Sequence, residues 1–165
     1  MKSKELISTQ IQPSFIGDPI SFGKTEEQYY QLEIPIELAF TGGQEIIEID
    51  SKQYVITIEP GCGNGECFPL FGKCYIQIVY QQHEYYKREN DDLICTLKLP
   101  EEYKNVYVTL PYIIDGFELA PVYLTQTEFL YPEMGFVNRD SNKRGNYIVK
   151  IEFNEQNEEL NKFTS

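Results

Sequence analysis

Four cysteines, one histidine and the adjacent carboxylates Asp91-Asp92 and Glu101-Glu102 are side chains of this 165-residue chain suited to chemistry. Cys62, Cys67, Cys74 and Cys95 contain no C-x-x-C pair, and His83 is the only histidine. Zinc sites need paired ligands at tight spacing, so the cysteines read as free thiols and no metal or cofactor is expected. A Cys67–Cys74 cross-strand bridge would need an oxidising compartment. A single histidine leaves few ways to build a Ser-His-Asp or Cys-His pair, so the chain reads as a binding protein and not an enzyme. Asp91-Asp92 cannot share a site, because neighbours on a strand face opposite ways; a solvated turn is expected there. Glu101-Glu102 reads as an exposed pair or the start of a helix. The glycine-rich stretch Gly61-Cys62-Gly63-Asn64-Gly65 lacks the Gly-Lys-Ser/Thr ending of a phosphate loop and leads into a strand, so it is a turn.

Charge narrows the partners. The chain has 26 acidic against 14 basic residues, a net charge of −12. Phosphate backbones and anionic membrane surfaces repel such a chain, which argues against both as partners. No apolar run is long enough to span a bilayer, and Met1–Gln12 lacks the apolar core of a signal peptide. A cytoplasmic location is expected.

The elements that must hold these residues are strands. Thirteen tyrosines and no tryptophan suit a pleated, half-buried surface. Residues 1–28 are polar, carry Pro13, Gly17, Pro19 and Gly23, and read as an arm with little regular structure. Leu32, Ile34, Ile36 and Leu38 then alternate, as do Ile47 and Ile49, and Tyr54, Ile56 and Ile58. Further strand-like segments follow to Tyr80, and a second series runs from Leu93 to Phe153. Asp115-Gly116 is a two-residue hairpin signal. Ile36–Phe40 and Pro100–Asn105 are the stretches suited to a helical turn. The reading is all-β: two consecutive small β-sandwich or barrel-like units, 29–82 and 83–153, then a polar tail, 154–165, with a short helix around Glu158–Phe163. If the Leu32–Leu38 and Ile47–Ile49 strands pair at a sheet edge, they leave a groove to which an extended peptide adds as a further strand. The alternative is that these residues are core.

The order of segments resembles the C-terminal half of DnaJ-type co-chaperones. Leu32-Glu33-Ile34 through Ala39-Phe40-Thr41-Gly42-Gly43 is similar to the opening strand and its "aF-x-G" helical turn. Tyr54–Gly61 is similar to the "I-x-I-P-x-G" strand, and Phe71-Gly72-Lys73 to the "x-G-K-G" step. His83-Glu84-Tyr85-Tyr86-Lys87-Arg88-Glu89-Asn90-Asp91-Asp92-Leu93 resembles the "H-P-x-F-x-R-x-G-x-D-L" connector. Met134-Gly135 and Lys143–Val149 resemble the closing "G-M-P … R-G-D-L-Y-V" strand. The likeness spans about residues 29 to 153.

That resemblance implies a shallow hydrophobic site for unfolded polypeptide in the first unit, lined by Leu32, Ile34, Ile47, Ile49 and Tyr86. It implies ATP-independent holding of extended segments, with Ile47→Asp abolishing binding while the fold survives. The chain departs from the family at several points. The His-Pro-Asp motif that activates a DnaK-type ATPase and the C-x-x-C-x-G-x-G zinc modules are missing. Where lysines often hold the acidic tail of the partner chaperone, this chain has Gln44 and Glu45, which would repel it. The second expectation is therefore a dedicated adaptor or assembly component that binds one specific protein, with the acidic surface around Glu45 and Glu48 facing a basic partner.

Overall fold

A computed structural model of the chain describes residues 4–6, 8–9 and 27–154. The short helix expected around Glu158–Phe163 lies outside the described residues. The protein is mostly strand with little helix, as expected of an all-β chain, and divides into two compact units, Met1–Gln81 and Gln82–Ser165. No helix among the described residues is long and apolar enough to cross a membrane.

The first unit holds two sheets. One has β1 (Lys4–Glu5), β4 (Gly43–Ile49) and β5 (Lys52–Ile58) in the order β1-β4-β5. The other has β2 (Ser8–Thr9), β3 (Gln28–Ile34), β6 (Cys67–Phe71) and β7 (Cys74–Tyr80) in the order β2-β3-β7-β6. Each strand alternates as its sequence does. Leu32 and Ile34 of β3, Ile47 and Ile49 of β4, Ile56 and Ile58 of β5, and Ile76 and Ile78 of β7 are buried. The alternation read through Leu38 stops at Ile34. Pro35 fixes an extended residue there, and α1 (Ile36–Thr41) follows, burying Ile36, Ala39 and Phe40. The helix ends at Gly42, at φ +75°, where a β-carbon would stand 2.7 Å from Pro60 Cδ and 2.9 Å from the Ile58 carbonyl oxygen. Only glycine allows α1 to close so tightly on the end of β5.

β3 and β4 do not pair with each other; they belong to different sheets. The arm, expected to have little regular structure, supplies β1 and β2, because the edges of β3 and β4 present backbone groups that need partners. None of the four cysteines is in a disulfide. Cys67 pairs with Gln77 and Phe71 with Cys74, so a Cys67–Cys74 cross-strand bridge does not fit this register.

The second unit is built on β8 (Tyr86–Glu89), β9 (Asp92–Pro100), β12 (Glu128–Tyr131) and β13 (Tyr147–Asn154), in the order β12-β13-β9-β8. β13 and β9 run parallel at its centre through eight paired residues. A separate pair joins β10 (Tyr107–Val108) and β11 (Val122–Tyr123). Asp115-Gly116 forms a turn, with the Phe117 amide donating to the Ile114 carbonyl, but no strands flank it directly. Glu101–Tyr103 is one 3₁₀ turn.

Candidate functional site

The geometry singles out the side of β4 that faces away from β5. The Glu48 carbonyl points away from β5 and accepts the Leu6 amide at 3.0 Å. β1 runs parallel to β4, with Lys4 level with Ile47 and Glu5 level with Glu48. Farther along the arm, β2 runs antiparallel to β3, with Ser8 opposite Tyr30 and Thr9 opposite Tyr29. The arm thus completes one edge of each sheet. Lys4 Nζ reaches the Glu33 carbonyl at 2.9 Å and Glu45 Oε1 at 3.4 Å. The Glu45 side chain keeps only 16% of its surface exposed. A carboxylate so nearly covered needs a cation beside it.

The expected groove residues are all buried, but not in one unit. Leu32, Ile34, Ile47 and Ile49 are 0–3% exposed and lie in the core of the first unit. Asp at Ile47, expected to spare the fold, would put a carboxylate in that core, and burying a charge without a partner costs several kcal/mol. Tyr86 is in the second unit on β8, its ring 4.8 Å from His83, 4.6 Å from Tyr85 and 6.4 Å from Tyr147. The tyrosines near the arm stay neutral. Burial, then the hydrogen bond to Glu27, pushes Tyr29 up to about 12, and burial raises Tyr30.

The remaining chemistry-bearing residues are structural braces. His83 Nδ1 accepts the amides of Tyr85 and Tyr86, each at 3.1 Å, and so shapes the entry into β8. Asp91-Asp92 sits at the turn between β8 and β9, as expected, but both carboxylates are half-buried and bonded to protein groups. Asp91 takes Arg88 Nη2 and Asn138 Nδ2, both at 3.1 Å, and Asp92 Oδ1 takes the Asn146 amide at 2.7 Å. Arg88 also lies 4.4 Å above the Phe136 ring. These contacts fasten the β8–β9 hairpin to the 134–146 loop, and adjacent carboxylates serve because each faces a different partner. In the first unit, the Tyr80 hydroxyl donates to the Cys62 carbonyl, and Asn64 Oδ1 accepts the Tyr80 amide at 2.9 Å, docking the glycine-rich turn on β7. Among the described residues no three histidine, cysteine or acidic side chains converge.

Sequence reading missed the arm–β4 contact and the cation it brings to Glu45. Lys4-Glu5-Leu6 is too short an alternation to register, and the edge it completes exists only once β4 has folded against β5. In comparisons with known proteins, the family model of the DnaJ C terminal domain matches residues 28–154. No curated protein matches the chain.

Proposed function

Because the chain belongs to the DnaJ C terminal domain family, a non-catalytic, polypeptide-binding class of chaperone domain, we propose that it holds unfolded or extended polypeptide without ATP. The client adds as a strand along β4. Its inward side chains then pack over the end of the core that Leu32, Ile34, Ile47 and Ile49 build. The observation that carries the reading is the arm: a stretch of chain already lies on β4 as an added strand, bonded to the Glu48 carbonyl. A client gains backbone bonds and about 1.5–3 kcal/mol for each large aliphatic side chain it buries, less the cost of ordering. Such binding is weak and reversible, as a holder of transient segments requires.

Glu48→Pro tests this without loading the core. Proline removes an amide from the side of β4 that faces the added strand and leaves the β5 ladder intact. The parent should bind a chemically unfolded reporter, and Glu48→Pro should bind it more weakly with an unchanged far-ultraviolet spectrum, the loss of one or two hydrogen bonds. Equal binding by the two proteins would show that β4 is not where clients add.

A further inference from the structure

The arm on β4 has a sequence, and its contacts are specific. Lys4 is held by the Glu33 carbonyl and by the largely covered Glu45 carboxylate. Two residues on, Leu6 is half-buried and its amide bonds to Glu48. Alternate residues of a strand share a face, so Lys4 and Leu6 lie on one side of β1. Glu45, Ile47 and Ile49 likewise share a face of β4, the one whose last two residues are buried. The edge therefore offers a carboxylate and an apolar surface in line, spaced for a cation and an aliphatic side chain two residues apart.

We propose that the Lys4-x-Leu6 segment is a built-in stand-in for client. The β4 edge recognises a cation two residues before an aliphatic side chain, in a strand parallel to β4, and the chain's own arm closes that site until a client displaces it. Glu45 sets the charge preference. This rests on the reading of β4 as the client edge. An occupant in cis lowers apparent affinity by the fraction of time the edge is free, so an arm docked nine-tenths of the time weakens client binding about tenfold.

The test uses the full-length chain and a fluorescein-labelled peptide with the sequence of residues 3–9, followed by fluorescence anisotropy. Leu6→Asp, which places a charge on the half-buried arm position and leaves the β4 edge untouched, should bind the peptide about tenfold more tightly than the parent. A peptide with glutamate in place of its lysine should lose that gain. Adding Glu45→Lys to the Leu6→Asp chain should invert the preference, so that the glutamate peptide binds better. Equal affinity of the parent and Leu6→Asp overturns the proposal, as does a charge preference that Glu45→Lys leaves unchanged. If the chain holds an unfolded reporter but shows neither effect, the client edge stands and the stand-in role falls. If it binds neither reporter nor peptide, both fall.

Discussion

A β-carbon on Gly145 would stand 2.2 Å from the Asp91 carbonyl oxygen and 2.4 Å from its carbonyl carbon. One on Gly135 would stand 2.6 Å from that oxygen and from the Asn146 carbonyl. Backbone cannot yield as a flexible side chain does, so these glycines are required by contact. Gly145→Ala should lower stability by about 1–3 kcal/mol, the usual cost of forcing extra volume into a packed site. Gly63→Ala, whose β-carbon would meet nothing closer than Glu66 Oε2 at 3.6 Å, should stay within about 0.5 kcal/mol of the parent. Urea unfolding followed by circular dichroism measures both, and equal midpoints would mean that the Asp91 contact does not form. A second residue-scale expectation concerns alkali. Burial raises the Cys95 thiol from 9.0 to about 11, and burial also pushes Tyr147 well above its ordinary value. A group whose folded value is raised keeps its contribution below the unfolded value and loses it on the way up. Stability should therefore hold to pH 9 and fall as pH rises towards 11, and Cys95→Ala should flatten that fall. A urea midpoint constant from pH 9 to 11 would show that neither group is held as buried as this.

Elements differ in how much holds them. β9 is hydrogen-bonded on both sides, by β8 and by β13, and pairs with β13 through eight residues. β10 and β11 share two paired residues and carry Tyr107 and Tyr123 exposed. Amide exchange follows local opening, which is cheap where few contacts hold the backbone. Ile94 and Leu97 amides should therefore outlast that of Val108 by orders of magnitude in native-state hydrogen exchange. Comparable rates would place β10 and β11 in the same cooperative unit as the central strands. The central strands were also the legible ones: alternation pointed to β3, β4 and β5, and the strand-like stretches to Tyr80 and from Leu93 to Phe153 include β7, β9 and β13. Between β9 and β12 the second series resolves into the two-residue strands β10 and β11, because tyrosine and valine favour sheet by composition whether or not a partner strand is present. Leu32, Ile34, Ile47 and Ile49 were legible as alternating aliphatic positions, but the segment that completes the β4 edge was not. Register within one strand can be read from its own residues, whereas the neighbour of an edge is set by chain distant in sequence. Arg88, Asp91 and Asn138 were unreadable as a unit for the same reason.

The whole molecule carries a net charge of −12, and that field acts on any client before contact. A basic segment is drawn towards the surface and an acidic one is repelled, chiefly through the rate of encounter. Glu45 then adds a local contribution, a carboxylate already matched by Lys4. The two can be separated by salt, because the screening length shrinks from about 10 Å at 0.1 M to about 3 Å at 1 M while a half-buried pair is screened much less. Between those concentrations the association rate of a lysine-bearing peptide with the Leu6→Asp chain should fall several-fold, and its dissociation rate should change little. A peptide with a neutral residue in place of the lysine should associate at nearly the same rate throughout. Stopped-flow anisotropy across a salt series reads both rates. If dissociation accelerates as steeply as association slows, Glu45 is a solvated surface charge in the bound state. The specificity would then come from the field of the whole molecule and not from the β4 edge.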